Sequence, residues 1–380
     1  MATGVDRVEL AYLARFLDDD TPCFGFVRTA FGYLLLDRAG LEAVQVRLEG
    51  RHSWGRADFL SRYLRGRTDV GKRAEADFRR LAIARAAPWR LSSMLENIPK
   101  PCRYFNVGHS NLTTRVLSSL KRAGVEINAL VHDVIPLEYP QFQRPGTVAP
   151  FRDKLKCVQN WANLVIYNSA DTQHRAEAQM AAWGQVPKSI VAHLGTVRPI
   201  PDLSALSDGL PPEQPYFVIV GTIEPRKNHA FLLDIWEKLG PDAPLLLICG
   251  SRGWNNEAVF ERLDRMTADG PIREIPNLSD AALAALVQHA SGALFPSLAE
   301  GFGLPPLEAL LLETRVLCND LGVLREFLGY MPVYASVFDE YQWLKVIQAW
   351  AETPEMENNP KGFEGPTWDD HFNKVLSLRV

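Results

Sequence analysis

Short apolar runs alternate with longer amphipathic stretches through most of this 380-residue chain, and they do so in two separate blocks. A run short enough for a buried strand, followed by a 3.6-residue periodicity, predicts a βαβ unit. Repeated units predict a parallel sheet covered by helices on both faces. The first block predicts strands at 104–109, 127–133, 164–168 and 190–194. The second predicts them at 216–221, 245–250, 272–275, 292–296, 316–319 and 333–335. Helical spacing fits 111–123, 171–183, 228–239, 280–290, 305–313 and 338–351. The fold class is therefore α/β, with two Rossmann-like domains, as expected of a length that exceeds one hydrophobic core.

The blocks are separated by a segment carrying Pro199, Pro201, Pro211, Pro212 and Pro215. Proline removes backbone donors and blocks regular structure, so this segment reads as an inter-domain linker. The expected division is an N-terminal domain over 1–200, a linker over 201–215 and a C-terminal domain over 216–365. At the start, residues 3–17 look like a glycine turn opening a helix, with no strand before it. A Rossmann-like lobe ordinarily begins with that strand, so the first lobe is expected to lack it.

A net charge of −4 gives no general affinity for nucleic acid. Cys23, Cys102, Cys157, Cys249 and Cys318 are widely spread and form no C-x-x-C pair. That pattern fits reduced thiols, and with no signal-like leader it predicts a cytoplasmic protein. No apolar run approaches the roughly 20 residues of a membrane span. One stretch departs from the average. Residues 51–90 carry eleven Arg or Lys against four acids, with Trp54, Phe59, Tyr63, Phe78 and Trp89 interleaved. Such a stretch could dock on an anionic membrane surface, or be a solvated helix pair with ordinary core aromatics.

Two segments carry chemistry. In 292–312 a buried-type strand ends near Pro296, a loop holds Glu300, Gly301, Phe302, Gly303 and Leu304, and a helix opens at Pro305-Pro306. Proline suits the first helical position, and the open N–H groups of a first turn attract an anion. Glu300 and Glu308 flank that turn at the carboxyl end of a strand, where open α/β sheets bind ligands. In 216–228 a strand ends at Gly221, and Arg226 and Lys227 project from the following corner toward a pyrophosphate-sized anion. Taken alone, each segment also fits a plain turn; the pairing favours a shared site on one pyrophosphate.

The combination VGTIEPRKN and LAEGFGLPPLEAL, with Glu300 and Glu308 eight apart, resembles the donor site of the retaining glycosyltransferases of family 4, which have the GT-B fold. The first lobe agrees: VHDVIPLEYP (131–140) resembles that family's H-D-x-x-P element, and TGVDRVE (3–9) its N-terminal glycine loop. The resemblance covers nearly the whole chain. It implies that Arg226 and Lys227 bind the donor diphosphate, with Gly221 and Thr222 beside them. It implies that Glu308 binds the ribose hydroxyls, and that Glu300 with the backbone of Gly301, Phe302, Gly303 and Leu304 holds the transferred sugar and phosphate. His132 would approach the sugar from the facing lobe, Gly4 would lie near the diphosphate or acceptor, and Asn277 and Leu278 would contact the base. Glu300, His132, Arg226 and Lys227 are the implied catalytic set.

The same resemblance implies no metal and no cofactor, the nucleotide sugar being a substrate. It implies a helix over 366–380 returning to the first lobe. The partners would be a nucleotide-sugar donor and a glycan or lipid-linked acceptor. The style of the first-lobe element resembles bacterial polysaccharide and O-antigen transferases, which suggests mannose from GDP-mannose, with UDP-glucose and dTDP-rhamnose as alternatives. The turn after the fourth strand departs from the family: His193-Leu194-Gly195-Thr196 stands in place of a more usual asparagine-glycine turn. Two rivals are a nicotinamide oxidoreductase and a catalytically silent sugar-nucleotide or glycan binder. The first is disfavoured because Pro306 replaces the glycine that the fingerprint 301–306 needs.

Overall fold

The computed structural model describes residues 4–63, 66–96, 98–267, 269–353 and 361–377. All ten predicted strands form, with ends that shift by a few residues. Three more were not predicted: β1 (Gly25–Thr29) and β2 (Gly32–Leu36) make an antiparallel hairpin, and β3 (Ala84–Ala86) pairs with β2. The N-terminal lobe is thus not a plain Rossmann sheet. Its parallel part has four strands in sequence order: β4 (Arg103–Asn106), β5 (Glu126–Val131), β6 (Leu164–Tyr167) and β7 (Ser189–Val191). Among the described residues no strand precedes the first helix, Gly4–Asp18.

The C-terminal lobe holds six parallel strands: β8 (Tyr216–Val220), β9 (Leu245–Cys249), β10 (Ile272–Glu274), β11 (Gly292–Phe295), β12 (Val316–Cys318) and β13 (Val333–Tyr334). Their spatial order is β10-β9-β8-β11-β12-β13. The order reverses between β8 and β11, and such a reversal opens a crevice at the carboxyl ends of the two strands.

The strands read as continuous apolar runs because both faces are covered. Side chains alternate across a strand, so Phe217 and Ile219 face one buried layer with Trp236, Trp343 and Ile347, while Val218 faces another with Leu286, Leu307 and Leu310. Truncating a fully buried residue such as Leu307 to alanine costs about 2–5 kcal/mol. The second of these layers continues into the N-terminal lobe through Val8, Tyr12, Leu130 and Ile166.

The last described helix, Trp368–Ser377, packs back on the first. The Tyr12 hydroxyl donates to His371 Nε2 at 2.8 Å, while His371 Nδ1 donates to the carbonyls of Ala192 and His193 at 3.2 and 3.0 Å. Phe372 sits edge-on to Tyr12 at 4.9 Å. The two connections between the lobes meet where Thr196 N–H donates to the Pro366 carbonyl at 2.9 Å.

Candidate active site

The corner after β8 is built by local rules. Pro225 opens a single 3-10 turn, Pro225–Lys227, and Asn228 ends it in the left-handed region at φ 56°, a conformation asparagine tolerates well. Asn228 Nδ2 then donates to the Pro296 carbonyl at 3.3 Å, and Leu298 N–H donates to the Arg226 carbonyl at 2.7 Å. These bonds fasten the corner to the loop after β11, across the point where strand order reverses.

Arg226, Lys227 and Glu300 meet there. Glu300 accepts from Lys227 Nζ at 2.5 Å through one oxygen and from Arg226 Nη1 at 2.8 Å through the other. Arg226 Nη1 also donates to the Ala299 carbonyl at 3.2 Å, and its Nη2 pairs with Glu224 at 2.8 Å. Glu224, Lys227 and Glu300 are buried, whereas Arg226 keeps part of its surface open. Burial alone would raise the Glu300 carboxyl; Lys227 and Arg226 overcome it and hold the group at about 2. Burial pulls the Lys227 ammonium below the usual lysine range despite Glu300. Glu224 is raised by burial, against the pull of both cations. The cluster carries two positive and two negative side chains, so its charges are mutually compensated and its donors are held in fixed orientations.

The loop that follows is shaped by two glycines. Gly303 has φ 95°, and a Cβ there would lie 2.5 Å from Leu324 Cδ2. It caps the helix Leu304–Leu311, whose first turn contains Pro305 and Pro306. A Cβ on Gly301 would lie 2.9 Å from the His132 carbonyl oxygen and 3.0 Å from Asp133 Cβ. The loop after β11 thus touches the N-terminal lobe through bare backbone.

His132 follows β5 at its carboxyl end and faces this contact. Its Nε2 lies 2.7 Å from the Val107 carbonyl, which can only accept, so Nε2 carries the proton and Nδ1 a lone pair. Burial, reinforced by His109 and partly offset by Val107 and Asp133, pulls the imidazole down to about 4. The ring is therefore a neutral group at the cleft. A cavity of about 370 Å³ opens beside Glu300, lined by Glu138, Tyr139, Asp171 and Arg175 from the N-terminal lobe and by Leu298–Glu300 and 321–323 from the other.

The remaining predicted residues divide. A Cβ on Gly221 would lie 3.4 Å from Lys227 Cε, and one on Gly4 would lie 3.3 Å from Leu304 Cδ1, so both glycines border the site. Glu308 is bonded to Arg7 of the first helix, and Arg7 also lies 3.8 Å from Asp280. Phe302 is buried and stacks on Phe327 at 4.2 Å, which leaves only its backbone for a ligand. Thr222 is exposed just after the crevice strand β8, Asn277 is exposed after the edge strand β10, and Leu278 is half-buried in the apolar layer. Sequence reading missed Glu224, Asp133 and Arg7, although all three lie inside the segments it singled out.

Part of the basic stretch is tied up in ion pairs with its own acids. Arg79 pairs with Asp58 and Glu75, and Arg47 and Arg80 pair with Asp77. Trp54 packs on Phe78, whereas Phe59, Tyr63 and Trp89 are 68%, 67% and 83% exposed. Arg65 lies outside the described residues.

The architecture is that of the GT-B glycosyltransferases. It is similar to Anabaena HepE solved with UDP and glucose, with a TM-score of 0.60 at 17% identity, covering 77% of this chain and 81% of that one. It is also similar to TarM, with a TM-score of 0.54 at 11% identity over 77% of this chain and 58% of that one. Residues 206–359, which include the charged cluster, match the family described as glycosyl transferases group 1. In sequence the chain is O-antigen-mannosyltransferase-like. It is 30% identical to the Escherichia coli serotype-specific mannosyltransferase WbdA over 272 residues, 66% of this chain and 33% of that protein. It is 35% identical to the E. coli O-antigen chain mannosyltransferase B over 129 residues, 33% of this chain and 34% of that protein. The chain thus spans about a third of the length of the WbdA relatives it matches.

Proposed function

We propose that the protein is a retaining hexosyltransferase that moves mannose from GDP-mannose to a glycan or lipid-linked oligosaccharide in polysaccharide synthesis. The observation that carries this reading is the convergence of Arg226 and Lys227 on Glu300 at the strand-order reversal, facing a neutral His132 across the cleft. The two cations supply charge to a departing diphosphate, the role that a divalent ion fills in other transferases. In this reading activity needs no metal and survives a chelator. The names of the similar proteins favour mannose; HepE, solved with UDP-glucose, makes UDP-glucose the competing donor.

Glu308 would accept two hydrogen bonds from a ribose, which requires Arg7 to share or release it. No helix among the described residues is long and apolar enough to cross a membrane. Exposed Phe59 and Tyr63, with Arg62 between them, would instead rest on anionic lipid beside a lipid-linked acceptor.

A thermal-shift panel of GDP-mannose, UDP-glucose and dTDP-rhamnose, followed by assay of released nucleoside diphosphate, tests the assignment. A ligand that binds only the native state raises apparent stability by RT ln(1 + [L]/Kd). GDP-mannose should give the largest shift and release GDP when acceptor is added. A shift without release under any acceptor identifies a silent binder; no shift with any donor refutes the site.

A further inference from the structure

We propose that Glu326 is a positioning residue that seats the N-terminal wall of the cleft on the donor loop. The inference rests on the reading of that cleft as the transfer site. Glu326 lies on the C-terminal-lobe helix Gly322–Leu328, yet among the described residues its carboxylate hydrogen-bonds only to the other lobe. Its two oxygens accept from Ala170 N–H at 2.7 and 2.9 Å, and one accepts from Asp171 N–H at 3.2 Å. These are open donors of the first turn of the helix Ala170–Ala181. His193 Nε2, 2.7 Å from the same carboxylate, donates to it, which gives a structural use to the histidine that departs from the family's turn.

The same turn is held at a second point. Thr172 Oγ1 donates to the Gly301 carbonyl at 3.1 Å, inside the donor loop itself. Two residues of that helix, Asp171 and Arg175, line the cavity beside Glu300. Arg175 is in turn fixed by Glu138 and, at 3.2 Å, by Asp171. Glu326 is not itself a lining residue of the cavity, but it fixes the element that carries half of one wall. A carboxylate across a first turn is favoured by the helix dipole, so the bond gains strength from an element already formed. The contact makes the spacing between Arg175 and Glu300 depend on how the lobes close.

Glu326→Ala, Glu326→Gln and Thr172→Val in the full chain test this, with GDP-mannose and a mannose-terminated oligosaccharide as substrates. Misplacement by about 1 Å costs on the order of 100-fold, so Glu326→Ala should lower kcat by roughly 10- to 100-fold with donor Kd unchanged. Glutamine keeps an acceptor for Ala170 N–H and should restore most of the loss. Thr172→Val should act in the same direction, and the double variant should lose less than the product of the two, because both bonds hold one turn. The radius of gyration of donor-free Glu326→Ala, measured by small-angle scattering, should exceed that of wild type. Unchanged kcat with an unchanged radius overturns the clasp, as does a loss of kcat explained wholly by weaker donor binding. If wild type transfers from no nucleotide sugar, the reading of the cleft has failed, and the radius alone then decides the clasp.

Discussion

Both lobes bring strand ends to the cleft, but they load them in opposite ways. The C-terminal corner concentrates Glu224, Arg226, Lys227 and Glu300 in one buried network. The N-terminal corner offers His132, buried and neutral, with its proton committed to Val107. The difference teaches where the charge of the cleft is concentrated: one wall gathers two cations and two carboxylates in a single network, and the other offers a neutral ring at its strand end. Because Glu224, Lys227 and Glu300 are buried, each interaction on the first wall is stronger than it would be in bulk solvent.

The largest effect should come from stripping the charged wall. Lys227→Ala and Arg226→Ala should each lower kcat/KM by ~100-fold or more, the scale of removing one charge-stabilising group. Lys227→Ala should also unfold at lower denaturant, since breaking a buried pair costs about 3–5 kcal/mol; Arg226 is more open, and its loss should cost less stability. Near-wild-type turnover in both variants would erase the distinction between the walls.

Acid should separate the walls next. A histidine held below its ordinary value leaves the unfolded chain binding more protons, so the stability that His132 permits is lost as pH falls from about 6.5 toward about 4. Glu300 acts in the same direction at lower pH: its depressed carboxyl contributes stability that is present above 4.5 and is lost between there and about 2. Urea midpoints at pH 7, 5.5, 4.5 and 3 should therefore fall in two stages. His132→Gln should flatten the first stage and leave the second. A profile unchanged by that substitution would show that other buried histidines, such as His229 held at about 3, dominate the first stage.

The smallest effect concerns the outer surface of the N-terminal lobe. Phe59→Ala with Arg62→Glu should weaken co-sedimentation with vesicles containing anionic lipid while leaving turnover on a soluble acceptor unchanged. Co-sedimentation indifferent to anionic lipid, to salt and to these changes would remove membrane docking from the account.

The contrast between lobes also governs what could be read from residues alone. The C-terminal lobe is spelled by strands such as LLLIC and GALF, each flanked by turn residues, and its charges stand next to them in sequence. Arg226, Lys227 and Glu300 were legible for that reason. The N-terminal hairpin was not, because GYLLL in β2 shows no alternation and a short leucine run fits a helix as well as a strand. Arg7, His193 and Glu326 were illegible for a different reason. Their partners lie 301, 133 and as many as 156 residues away, and no local spacing encodes such pairs.

The hydrogen bond from Thr196 to Pro366 has a mechanical consequence. It binds the outgoing and returning chain into a two-ply strap, and Gly195 lies so close to Trp368 that a Cβ there would approach the Trp368 nitrogen to 2.2 Å. A single tether would let one lobe swivel freely, whereas a paired one resists torsion and slip. What it leaves softest is bending.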